Sequence, residues 1–151
     1  MLKPHINIFV VIRILIGLVL VFSGAEKLLS HYQNFLYVVQ SYELLPESFE
    51  KPFVFIFPWI ELLTGLFLVL GLWMTVSLKS VTVLFAVFIF VLSQATIRHL
   101  PVMECGCFGG AVTIPIHVTL ILDSMTFLLI IWLNLNAQRT SRFGLDQYFN
   151  S

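Results

Sequence analysis

The sequence predicts an all-α fold: an integral membrane four-helix bundle with an amphipathic outer segment between the first two spans. Two observations carry that expectation. Of the 151 residues, 59% are hydrophobic and only 11% charged, whereas an average soluble domain is about 25% charged. The chain therefore lacks the polar side chains to cover a globular surface. The apolar residues also fall into four stretches of the length that crosses a hydrocarbon core of about 30 Å, about 20 residues each. Together they leave room for loops and ends but not for a second domain, so residues 1–151 are expected to form one transmembrane domain whose first partner is the lipid bilayer. Eight basic and eight acidic residues cancel. That balance gives neither the basic footprint of a nucleic-acid binder nor a polybasic lipid-binding tail.

The first span is expected at about 6–23, apolar apart from Asn7 and Arg13. A signal-peptide reading is open to the same stretch: Lys3 and Arg13 as the basic region, Ile14 to Phe22 as the apolar core, and Ser23-Gly24-Ala25 as the cleavage site. Retention as a helix is preferred, because the apolar run begins before Arg13 and the following segment reads as its continuation. From Gly24 to Lys51 the chain is too polar to cross. Leu28, Leu29, Tyr32, Phe35, Leu36 and Val39 recur there at helical spacing, as expected of an extension of the first helix or of a helix along the interface. The second span, about 53–74, contains Pro58 and Glu61. A tight turn leads to the third, about 78–97, and the fourth is expected at about 114–135, carrying His117 and Asp123.

The basic residues set an expected orientation. With both termini cytoplasmic, Lys3, Lys79, Arg139 and Arg142 lie inside, and most acidic residues lie outside. The amphipathic segment and the loop holding both cysteines then share the outer, oxidising face of the membrane, where a disulfide persists.

Cys105-Gly106-Cys107-Phe108-Gly109-Gly110 is the sharpest motif. Glycines give the backbone the freedom that a disulfide across one residue requires, and strained, accessible disulfides tend to be the reducible ones. With Thr113 as N-cap and Pro115 in the first turn, the positive end of the fourth helix would lie near the sulfurs and favour a thiolate. Arg98, His99 and His117 are close enough in sequence to add charge or accept a proton. A structural disulfide and a soft-metal site remain alternatives, since thiolates also bind copper(I), zinc and mercury. The second pair of ligands of a structural zinc site is missing, and no metal site is assigned.

Arg13, Glu61 and Asp123 each fall within a span, where an ionisable group is expensive and is a functional candidate. At 1.5 Å per residue their depths allow all three to meet in the bundle interior. One cation facing two carboxylates leaves a proton on one of them or recruits Lys27. A proton relay and an ion-pair network that merely fixes packing both fit. Gln94 and Lys27 are the candidates for touching a headgroup-sized cofactor such as a quinone, with interhelical hydrogen bonding as the other use of Gln94.

Arg13, Phe22-Ser23-Gly24 followed by Lys27-Leu28, Tyr42 with Leu44-Leu45-Pro46, Pro58 with Glu61 and Gly65, and Cys105-Gly106-Cys107-Phe108-Gly109 together resemble the MauE/DoxX-like family, from about Ile12 to Leu135. The cysteine motif points to the MauE branch, named for methylamine utilisation. The resemblance implies a four-helix bacterial inner-membrane protein associated with redox functions and often with thioredoxin-like partners, MauE itself being associated with maturation of methylamine dehydrogenase. The architecture is also similar to that of the disulfide-generating quinone reductases, which use a Cys-x-x-Cys pair and a second pair that this chain lacks.

Three functions follow as expectations. In the first, Cys105 and Cys107 exchange electrons with a periplasmic thioredoxin-like partner in the maturation of an exported protein, and a quinone takes or supplies electrons while Arg13, Glu61, Asp123 and His117 handle protons. The second is soft-metal transport or delivery, and the third a non-catalytic scaffold docking through residues 24–51.

Overall fold

The computed structural model describes residues 8–99 and 115–137. Five helices make up the described chain: α1 Ile8–Leu29, α2 Tyr32–Ser41, α3 Glu47–Leu70, α4 Met74–Ile97 and α5 Ile116–Leu135. Four of them, all but α2, are long and apolar enough to cross a membrane, and the described residues contain no strand. The protein is an all-α membrane bundle.

The polar segment after the first span resolves into two parts. Helix α1 runs on through Gly24 to Leu29, and α2 follows as a separate ten-residue helix. Phe35 and Val39, one turn apart, are the buried face of α2 and pack with Val54 and Phe57 of α3. Gln40 Nε2 donates to Glu50 Oε2 at 2.9 Å, tying the end of α2 to the start of α3.

Helices α1 and α3 form the most extensive pair, and glycine sets their separation. Gly17 and Gly24, seven residues apart, occupy one face of α1. A β-carbon on Gly24 would stand 2.8 Å from the Leu62 amide nitrogen, and one on Gly65 the same distance from that of Val21. The two backbones approach too closely for any larger residue, as at other small-residue membrane interfaces.

Gly71, in the left-handed region at φ 69°, ends α3, and the Leu72 amide donates back to the Phe67 carbonyl at 3.0 Å, a glycine-terminated helix end. Trp73, also left-handed, starts α4 immediately. Helix α5 starts at Ile116, two residues later than expected: Pro115 is the extended N-cap residue rather than part of the first turn. Its carbonyl accepts from the Val118 and Thr119 amides. Thr113 lies outside the described residues.

The ends of the bundle are distinct. At one end Phe9 stacks on Trp132, ring centres 4.4 Å apart, above a core of Leu20, Leu68, Leu78, Val81 and Leu133. At the other, Tyr42, Leu92 and Ala95 pack with Ile116 and Leu120, and Arg98 lies 3.6 Å from Glu43. The ends of α1 and α4 and the starts of α3 and α5 therefore meet there. His99 and Pro115, between which the cysteine-bearing segment runs, belong to this end. Cys105 and Cys107 themselves lie outside the described residues.

Candidate functional site

The site is built on the α1/α3 seam. Ser23 and Lys27, four residues apart on α1, occupy adjacent positions on one helix face and look across at Glu61 on α3. Lys27 Nζ donates to Glu61 Oε2 at 2.8 Å and to Ser23 Oγ at 2.7 Å, and Ser23 Oγ donates in turn to Glu61 Oε1 at 2.8 Å. Both carboxylate oxygens and the ammonium are thus engaged in one closed network. The Lys27 and Glu61 side chains are each 1% exposed. Two rings complete the surroundings of the cation, with Nζ 5.7 Å from the centre of Phe35 and 5.9 Å from that of Phe88, within the range of cation–π attraction.

The network lies between two cavities. On the Lys27 side is an apolar cavity of about 300 Å³ among α2, α3 and α4, walled by Phe35, Tyr42, Phe53, Phe57, Phe88 and Phe90. On the other side Glu61 and Ser23 line a cavity of about 370 Å³ among α1, α4 and α5, together with Thr119, Asp123 and Thr126. Phe88 borders both. The buried pair is therefore a partition, its cation facing one space and its carboxylate the other.

The other residues singled out from the sequence take different places. Arg13 is fully buried ten residues before Ser23 on α1, with Nη1 3.9 Å from the Met74 sulfur at the start of α4. Asp123 is half-buried and shares a cavity with Glu61. The cation bonded to Glu61 is Lys27. Gln94 is half-buried near the end of α4 and does not line the aromatic cavity, and His117 is exposed on the first turn of α5. Among the described residues no group of three or more His, Cys, Asp or Glu is placed to hold a metal.

Sequence reasoning missed the role of Ser23, which it read as part of a cleavage site and of the Phe22-Ser23-Gly24 motif, and it missed the rings Phe35 and Phe88. A serine one turn before a lysine in an apolar helix was a usable signal for the first. Nothing local distinguished those two phenylalanines from the other thirteen.

With this geometry in place, comparison with known proteins assigns the fold to a family. Residues 6–136 match the family described as Methylamine utilisation protein MauE. The chain belongs to the MauE family. It is 30% identical over 91 residues to the Methylamine utilization protein MauE of Methylorubrum extorquens, a match that covers 60% of this chain and 49% of that protein. The aligned region thus spans about half the length of the curated relative. No solved structure matches. Arg13, Ser23, Lys27, Glu61 and Asp123 all lie within the matched range, and this MauE-family chain is a multi-pass membrane protein.

Proposed function

We propose that this MauE-family protein is a membrane redox protein that exchanges electrons between Cys105 and Cys107 and a thioredoxin-like partner on the periplasmic face of a bacterial inner membrane, with both termini cytoplasmic. The names of the family and of the Methylorubrum protein attach those proteins to methylamine utilisation, and maturation of an exported protein for that purpose is part of the proposal. Kinship with DoxX proteins and the redox meaning of the Cys-Gly-Cys-Phe-Gly motif belong to it as well.

The observation that carries the reading is the buried Lys27–Ser23–Glu61 network in the bundle to whose His99 and Pro115 end the cysteine-bearing segment is joined. A passive anchor gains little from taking an ion pair out of water, since desolvation offsets most of the attraction. Thiol chemistry gives such groups a use. A partner thiolate attacks the Cys105–Cys107 disulfide, a mixed disulfide forms, and the second partner thiol resolves it, leaving the partner oxidised and Cys105 and Cys107 as a dithiol. Two S–H bonds and one S–S bond are exchanged, electrons balance, and protons must be taken up and released near the sulfurs.

The test is capture. Cys105→Ser and Cys107→Ser variants, each left with one thiol, are expected to differ, one of them accumulating a mixed disulfide with a thioredoxin-like protein on non-reducing gels. The double variant should insert normally, lose the adduct and change the thiol state of the partner. An unchanged partner thiol state in the double variant would end the redox reading, and stoichiometric copper or zinc in protein purified under reducing conditions would replace it with metal transport. Asp123→Asn separates a proton-handling role from packing. The expected result is thiol turnover reduced about a hundredfold at an unchanged unfolding temperature, whereas wild-type turnover with a lowered unfolding temperature assigns the residue to structure.

A further inference from the structure

We propose that the aromatic cavity beside Lys27 is a binding site for the ring of a lipid-soluble quinone, with the Lys27 ammonium donating a hydrogen bond to a ring carbonyl oxygen. The proposal deepens the redox reading above and rests on it for the source of electrons, though not for binding.

Four features of the cavity select the ligand. Its volume of about 300 Å³ is at the lower bound of small-molecule sites, about 300 to 1,000 Å³, and accommodates a ring with the start of a tail. Six aromatic side chains form its walls, and their rings are mutually packed: Phe53 stacks on Phe57 at 4.8 Å and Phe88 meets Phe57 edge-on at 5.5 Å. Such walls suit a flat ring, which gains from offset or edge-to-face packing. Among the lining residues Lys27 alone is charged, and Glu61 at 2.8 Å already balances that charge. An anionic headgroup would meet no net positive charge, whereas a neutral carbonyl needs only a donor. The lining also includes Val87 and Phe90, 40% and 59% exposed, on a helix long and apolar enough to cross the membrane. The mouth therefore opens toward lipid, the phase in which a quinone is dissolved.

The partition supplies the chemistry. As Cys105 and Cys107 are oxidised, two S–H bonds break, one S–S bond forms, and two electrons and two protons are released. The quinone takes up two electrons and two protons, forming two O–H bonds. Lys27 stands at the ring side to hand over a proton, and Glu61 and Ser23 connect it to the second cavity, which Asp123 lines. An acyl chain would use neither the cation nor this connection.

Binding of a decyl-substituted benzoquinone to the purified full chain in lipid nanodiscs tests the site. Saturable binding is expected, with one quinone per chain. Val91→Trp, which fills the cavity from α4, should abolish it at an unchanged unfolding temperature. Because Lys27→Met alone leaves Glu61 buried without its cation, it is paired with Glu61→Gln; the double variant should fold and bind at least about tenfold more weakly. The Cys105→Ser/Cys107→Ser variant should bind as wild type, so loss of the mixed disulfide with quinone binding retained would sink the thiol reading and leave the site standing. No saturable binding, binding unaffected by Val91→Trp, or equal competition by palmitate would overturn the proposal.

Discussion

Lys27→Met is expected to destabilise the protein by about 3–5 kcal/mol, because it removes one partner of a buried charge pair and strands the other. Glu61 is 1% exposed on a helix that crosses the membrane, and its two oxygens accept from Lys27 and Ser23 at 2.8 Å each. With the ammonium gone, the carboxylate keeps only the serine hydroxyl. It must then hold a proton or open the α1/α3 seam to water. Glu61→Gln in the same chain removes the charge that causes the damage, so the double variant should recover most of the loss. Unfolding temperatures in mild detergent measure both effects. Equal stability of the single variant and the wild type would mean that Glu61 is neutral in the native bundle and that the pair is a neutral hydrogen bond. Recovery in the double variant is what distinguishes a stranded charge from lost packing, since the methionine fills nearly the same volume as the lysine stem.

The second large effect is expected at Gly65. A β-carbon there would lie 2.8 Å from the Val21 nitrogen and 2.9 Å from the Gly17 carbonyl oxygen, both main-chain atoms of α1 that no rotamer change can move. Gly65→Ala must push the helices apart and should cost about 1–3 kcal/mol, the usual penalty for overpacking. Gly65→Leu should prevent assembly of the bundle, seen as loss of the folded monodisperse species in detergent. Leu66→Ala, one position along on the outward face, is the control and should change stability by no more than about 0.5 kcal/mol. Gly65 lies one turn from Glu61, and Gly24 directly follows Ser23. Loosening this seam should therefore weaken the Lys27–Glu61 network as well, and Gly65→Ala should lower quinone binding together with stability. The expected drop in stability with binding unchanged would show that the seam and the site are independent.

How far the sequence reached can be judged from particular residues. Glu61 and Asp123 were singled out because a carboxylate in an apolar run is costly whatever surrounds it. A turn between α3 and α4 was expected, but at residues 75–77; α3 ends at Leu70 and α4 starts at Met74, because the left-handed Gly71 breaks the helix inside a run whose hydropathy is continuous. Lys27 was named as a possible second cation and cofactor contact, but its depth was harder to read. It follows the stretch expected to cross, at 6–23, and counted as part of a polar segment until α1 was found to continue through it to Leu29. Pro115 was placed two residues too far into α5, since a proline suits both the first turn and the extended residue before it. The aromatic cavity was not legible at all, because its rings come from α2, α3 and α4 and the fifteen phenylalanines look alike in one dimension.

The sequence by itself determined that this is a membrane protein with four crossing helices and that a few buried charges would be its most informative residues. Those are properties of single segments: hydropathy over about 20 residues is enough to choose lipid over water. Only the tertiary structure decided that Lys27, rather than Arg13, is the cation bonded to Glu61, and that this pair divides an aromatic cavity from one that Glu61 and Asp123 line. Partners 34 residues apart meet at a depth and rotation fixed by the glycine contacts of α1 on α3. A register set by packing between helices leaves no trace in the hydropathy of either one.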